Sequence, residues 1–251
     1  MPAIRTGEGI PMGDVRFHSF DRSNPIPSDV VTRVARDLEA EMPHHMLGNY
    51  LSVKPHVLAS SQFVTLMSHS GVYVGLASGN VYAENGVEFF YIETLLLSES
   101  LHDRHMSYLQ VASLFSCLYR ARGNVPATVA AKTYNGRAYV LVRKLATLCN
   151  APFYPAISGP NVSELVERAT RIAGVLSPEL VFDAEHGIVR GGGGAVSARF
   201  WPEVPRTREP DVNEFFTTRM TSSDRVLCVI DTSSAQAQRR IVEVFVEGRI
   251  S

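Results

Sequence analysis

Three consecutive runs rich in Val, Phe, Tyr and Leu, Gln62 to Ser68, Val72 to Ala83 and Glu88 to Leu97, are parted only by Ser70-Gly71 and Asn85-Gly86. β-branched and aromatic residues suit a pleated, half-buried surface, and Asn-Gly accepts the positive φ of a two-residue hairpin turn. The chain is therefore expected to build a three-stranded antiparallel meander. Beyond it, Met106, Leu109, Ala112, Ser113, Leu114 and Leu118 recur at helical spacing as far as Arg122, where Gly123 ends the helix. Ala127 to Ala131 reads as a strand, and Asn135 to about Leu148 as a second helix with Ala138, Leu141, Val142 and Leu145 inward. Ala151 to Pro155 is bounded by proline and reads as extended, so the middle of the chain spells β-β-β-α-β-α-β.

Before the meander, Asp14 to Phe20 has the alternation of a first strand, and a helix capped by Ser28 carries Val30, Val31, Val34 and Leu38 until Pro43 stops it. Residues 1 to 13 read as a loose arm, and His44 to Ser60 as a long irregular stretch. In the last hundred residues, a helix to about Ala173, a strand from Leu180 to Asp183, a short helix with Phe215 and Phe216, a buried strand from Arg225 to Ile230 and a final helix ending at Gly248 are expected. Gly191 to Gly194 lacks the Gly-Lys-Ser/Thr ending of a phosphate-binding loop and reads as a flexible connector.

Composition narrows the function classes. Apolar residues make up 45% of the 251, which suits a folded core, and 24 basic against 25 acidic residues leave a net charge of −1. That balance argues against a nucleic-acid coat, which needs a basic excess. No stretch approaches the roughly 18 apolar residues of a membrane span, and Met1 to Phe17 holds no signal-peptide core. No membrane partner and a cytoplasmic location are expected. Cys117, Cys149 and Cys228 are too scattered for a disulfide framework or a zinc site and read as buried thiols. His44-His45 with Glu41, and His102 with His105, lack the spacing and third ligand of a hydrolytic zinc motif, so no metal is expected.

The junction between the third meander strand and its helix carries the chemistry: Tyr91-Ile92-Glu93-Thr94-Leu95-Leu96-Leu97, then Ser98 to Leu101, then His102-Asp103-Arg104-His105-Met106-Ser107. A strand that runs into a helix aims unpaired N–H groups and the positive end of the helix dipole at one point, which suits an anion. The order resembles the GNAT acetyltransferase superfamily, where the fourth strand is followed by Arg/Gln-x-x-Gly-x-Gly/Ala and a helix whose loop amides hold the pyrophosphate of acetyl-CoA. His102 stands where that family has Arg or Gln, His105 at the first Gly, Met106 at Ile or Leu, and Ser107 at the second Gly or Ala. Downstream, Asn135-Gly-Arg-Ala138-Tyr139-Val-Leu141-Val142-Arg143-Lys144-Leu145-Ala146 resembles the family's Asn-x-x-Ala-x-x-Leu-Tyr-x-Lys-x-Gly helix along the pantetheine arm. Two departures stand out: His105 puts a side chain where the family brings backbone to phosphate, and Val142 replaces the Tyr that often protonates the departing thiolate.

The resemblance covers roughly residues 14 to 155 and implies an α/β (α+β) fold with a mixed, mostly antiparallel sheet flanked by helices. It leaves 156 to 251 as a C-terminal α/β extension, packed on the first region or forming a small second domain, that shapes an acceptor site or an oligomer interface such as that of a homodimer. It implies acetyl transfer from acetyl-CoA, or another acyl-CoA, directly to an amine of a small molecule or protein. Leu95, Leu96, Leu97, His102, Asp103, Arg104, His105, Met106, Ser107 and Asn135 are the implied cofactor contacts. Glu93 is the candidate base, because it interrupts an apolar strand where family members place a carboxylate, and Tyr139 is the candidate acid, one turn from Val142. The alternatives are a GNAT-like domain without catalysis that serves as a binding or assembly module, and an acyltransferase drawing on a carrier-protein thioester.

Overall fold

The computed structural model describes residues 14–44, 56–84, 86–101, 106–193 and 205–248. The meander forms as expected: β2 (Phe63–His69), β3 (Val72–Glu84) and β4 (Val87–Leu97) pair antiparallel, with β1 (Val15–Asp21) antiparallel on the outer edge of β2. Glu84 pairs with Val87, so the β3–β4 connection has two residues, and Gly86 at φ +73° supplies the backbone that such a turn demands. Helix α1 (Ser28–Glu41) follows β1, with Pro27 rather than Ser28 in the cap position. It lays Val34 and Leu38 against Val64, Leu66, Leu76 and Leu96 of the sheet. A short helix, α2 (His56–Ala59), leads into β2.

The next helix, α3 (Met106–Arg122), covers the opposite face, where Val111, Leu114, Phe115 and Leu118 meet Phe63, Phe90 and Ile92. It delivers the chain to β5 (Thr128–Thr133), which pairs parallel with β4 and is followed by α4 (Gly136–Leu148). A right-handed twist and an intervening helix are the usual way to set two strands parallel. The result is the mixed, mostly antiparallel sheet flanked by helices that the GNAT resemblance implies.

The strand expected at Ala151 to Pro155 is reduced to β6 (Phe153–Tyr154), and it does not lie beside β5. Helix α5 (Ser163–Leu176), β7 (Phe182–Asp183), β8 (Ile188–Val189) and α6 (Pro210–Thr218) come first, and then β9 (Arg225–Asp231) takes the place next to β5, antiparallel over all seven of its residues except Arg225. β6 and β8 pair with the other edge of β9, giving the order β1-β2-β3-β4-β5-β9-β8-β7. The run Val226 to Val229 is fully buried, which its unbroken apolar sequence anticipates. Helix α7 (Ala235–Ile241) continues into a π turn, Val242–Val246, whose Phe245 stacks on Phe115 of α3.

The described part of the glycine run is a docked turn, not the flexible connector expected. Gly191 N–H donates to Asp224 and Gly193 N–H to the Ser223 carbonyl, and a Cβ on Gly193 would meet the Arg225 guanidinium. All three cysteines are buried, and burial pushes Cys149 to about 12 and Cys117 to about 11. Among the described residues no helix is long and apolar enough to cross a membrane, and no group of three or more His, Cys, Asp or Glu could hold a metal ion.

Candidate active site

β4 and β5 form three ladder pairs, Phe90 with Val129, Tyr91 with Ala130 and Ile92 with Ala131, and no pair beyond. β4 then runs on through Leu97 against β3 alone, while β5 runs on against β9. Because the two strands are parallel, the helices that follow both start from the same edge of the sheet, at the carboxyl ends of the parting strands. A helix N-terminus carries unpaired N–H groups and the positive end of the helix dipole, which suit an anion. At α4 the first turn is capped by Asn135, whose Oδ1 accepts from the Ala138 N–H at 2.8 Å. At α3 Met106 is buried with Leu97 and Leu101, and Ser107 is half-buried beside it. His102, Asp103, Arg104 and His105 lie outside the described residues.

The parting of β4 from β5 coincides with a register shift between β3 and β4. Ser78 pairs with Thr94 and Gly79 with Ile92, so Glu93 is an extra residue on β4. Such a bulge bends its strand and re-aims a side chain. Glu93 keeps the face of Tyr91, Asn80 and Tyr82 while Thr94 is brought opposite Ser78, and its Oε2 accepts from Asn80 Nδ2 at 2.9 Å and from the Ser61 hydroxyl at 3.4 Å. Asn80 is itself held by Gln62, whose backbone N–H donates to Asn80 Oδ1 at 2.7 Å, and the Gln62 amide pairs with both backbone groups of Val81. The half-buried Glu93 carboxylate therefore sits on a fixed amide platform. It opens on a cleft of about 390 Å³ lined by Arg22, Ser60, Gln62, Asn80, Val81, Tyr82, Ala83, Glu84 and Glu93.

Tyr139 is elsewhere. It is fully buried among Phe153, Phe216 and the α3-side cluster that includes Phe90 and Ile92, and its hydroxyl donates to the Pro155 carbonyl at 2.7 Å. Burial drives its phenol far above the usual value, with Arg143 pulling the other way. Phe90 and Ile92 point to the face opposite Tyr91, so Glu93 and Tyr139 stand on opposite sides of the sheet. Val142, one turn on, is likewise buried in that cluster.

The C-terminal third covers α4. Gly136, its first residue, is packed so closely by α6 and the segment before it that a Cβ there would stand 3.0 Å from Thr207 and 3.1 Å from Val212. Arg137 donates to the Arg206 carbonyl at 2.9 Å, and Arg143 pairs with Glu209. The cleft residues Asn80, Tyr82 and Glu84 were not singled out from the sequence. Their signal is the polar alternation Asn-Val-Tyr-Ala-Glu at the end of an apolar strand.

No family model matches the chain, and no curated protein matches it. Solved structures similar to it include diaminobutyrate acetyltransferase EctA of Paenibacillus lautus, 14% identical over 56% of this chain and 79% of that one at a TM-score of 0.40. Escherichia coli ElaA is 9% identical over 57% and 88% at 0.42, and Arabidopsis thaliana Naa50 13% identical over 52% and 81% at 0.37. Likenesses at this level decide no substrate, and the fold is read from the strand order and helix placement above.

Proposed function

We propose that the chain is an acyl-CoA-dependent N-acyltransferase of the GNAT superfamily, moving an acetyl group directly onto an amine. The observation that carries this reading is Glu93, bulged out of β4 at the point where β4 leaves β5 and aimed into a polar cleft. In this reading the thioester lies in the split, along the Leu95–Leu97 backbone, with Ser107 and Asn135 at the two helix starts. The acyl-CoA supplies an activated carbonyl and a thiolate leaving group. Glu93 takes a proton from the incoming ammonium, and the freed amine forms the C–N bond as the C–S bond breaks. The second N–H proton goes to the departing sulfur, so the products are the amide and the free thiol. Tyr139 has no part in this scheme, since its hydroxyl is committed to Pro155 on the far face of the sheet.

Calorimetric titration with acetyl-CoA tests the first half, with saturable binding expected. Silence at millimolar ligand would sink the reading and leave the chain a GNAT-like module for binding or assembly. Glu93→Gln tests the second half. General-base removal is expected to lower kcat by about 10² to 10⁴-fold with acetyl-CoA affinity nearly intact, and an unchanged rate would remove Glu93 from the mechanism.

A further inference from the structure

Asn80, Tyr82 and Glu84 alternate along β3 and so stand on one face of it. At about 3.3 Å per residue, the Cα atoms of Asn80 and Glu84 are roughly 13 Å apart, with Tyr82 midway. Asn80 carries Glu93 at one end of this row, and Glu84 is exposed at the other. The Tyr82 ring lies flat on Phe89, centroids 5.2 Å apart at 13°, and edge-on to Tyr91 at 6.3 Å, so it forms a fixed aromatic wall between the two carboxylates. Burial, then the charges of Glu93 and Glu84, push the Tyr82 phenol above its usual value, as expected if both carboxylates face it.

Among the described residues, the charged groups of the lining are these two glutamates and one arginine, Arg22. Gln62 is engaged with Asn80 and Val81, and Asn80 with Gln62 and Glu93, so the groups of the cleft that attract a cation are the two carboxylates and the Tyr82 ring. Farther along the same face, Ser78 is wholly buried and its hydroxyl finds no hydrogen-bond partner among the described residues. A cleft of net negative charge with an aromatic wall favours cations over neutral or acidic molecules. It offers little apolar surface to an alkyl monoamine.

We propose that the acceptor is a molecule with two ammonium groups, one delivered to Glu93 and the other held by Glu84 against Tyr82. The assignment of one ammonium as the reacting group rests on the acyltransferase reading above; the two-point recognition of a dication does not. Glu84 is thus a specificity residue for this cleft.

Calorimetry without acyl-CoA separates the two ideas, using 1,6-diaminohexane and 1-aminohexane as probes. The diamine is expected to bind at least tenfold tighter than the monoamine. Glu84→Gln should bring it to the monoamine level with no change in unfolding midpoint, whereas Glu39→Gln, on the exposed side of α1, should leave the preference intact. Equal affinities, an absence of amine binding, or a preference that survives Glu84→Gln would overturn the proposal. A protein that prefers the diamine through Glu84 but ignores acetyl-CoA keeps two-ammonium recognition and loses acyl transfer. One that acetylates both amines with equal kcat/KM keeps acyl transfer and loses the two-ammonium acceptor.

Discussion

Glu93 and Tyr139 were both expected at the chemistry, and the fold treats them oppositely. A carboxylate in an apolar strand is costly to bury without partners, so its presence in Phe89-Phe90-Tyr91-Ile92-Glu93 already marked a special position. The partners themselves, Asn80 of β3 and Ser61 just before β2, were not legible, because they depend on the strand register and on where the chain enters the sheet. Tyr139 fits an inward helical position equally well as a core residue or as an acid. Spacing along a helix gives the direction of a side chain relative to its own helix, not the sheet face it reaches. As a core residue, Tyr139→Phe is expected to leave kcat unchanged while costing about 1–3 kcal/mol of stability, since the buried Pro155 carbonyl loses its donor. Urea denaturation read beside a turnover assay checks both halves; a large fall in kcat with intact stability would return Tyr139 to the mechanism.

Among the elements, the bulged β3–β4 pair and the β4–β5 split do most to make the site. Runs of Val, Phe and Tyr with Asn-Gly between them announce a hairpin, and that much was readable. A bulge is not, because both registers bury apolar residues on both faces of this strand. Its position is tied to Gly79. A Cβ there would stand 2.6 Å from the Phe90 ring and 2.8 Å from the Tyr91 carbonyl oxygen, so only glycine lets β3 pass the bulged strand. Gly79→Ala is expected to cost about 1–3 kcal/mol through overpacking. The same change should shift Glu93 off the Asn80 amide, so that kcat falls more than the fraction of folded protein does. A thermal melt paired with kinetics on the folded protein distinguishes this from simple destabilisation, in which kcat per folded molecule would be unaltered.

At the scale of the whole molecule, β9 joins the C-terminal third to the sheet. Asp224, immediately before it, is buried and gathers the Thr221 and Gly191 N–H groups and the Arg190 guanidinium. Burial by itself would raise this carboxyl, but those donors outweigh it and hold it below the usual value. A carboxyl depressed in the folded state stabilises above its unfolded pKa, near 4, and that contribution is lost as pH falls through the lower folded value. Urea midpoints measured from pH 7 down to pH 3 should therefore decline at the acid end. Asp224→Asn should be less stable at pH 7 and show a flatter acid decline; an identical slope would exclude Asp224 as a contributor. The sequence by itself determined the meander, the helices on either side of the β5 segment and the apolar run Val226 to Ile230, since each is written in local periodicity and turn chemistry. Only the tertiary structure decided that this run lies beside β5, that Glu93 is bulged into a cleft with Asn80 and Glu84, and that Tyr139 faces the other side. Strand order and register depend on which distant edges satisfy one another's hydrogen bonds and bury one another's faces, and local pattern does not encode that choice.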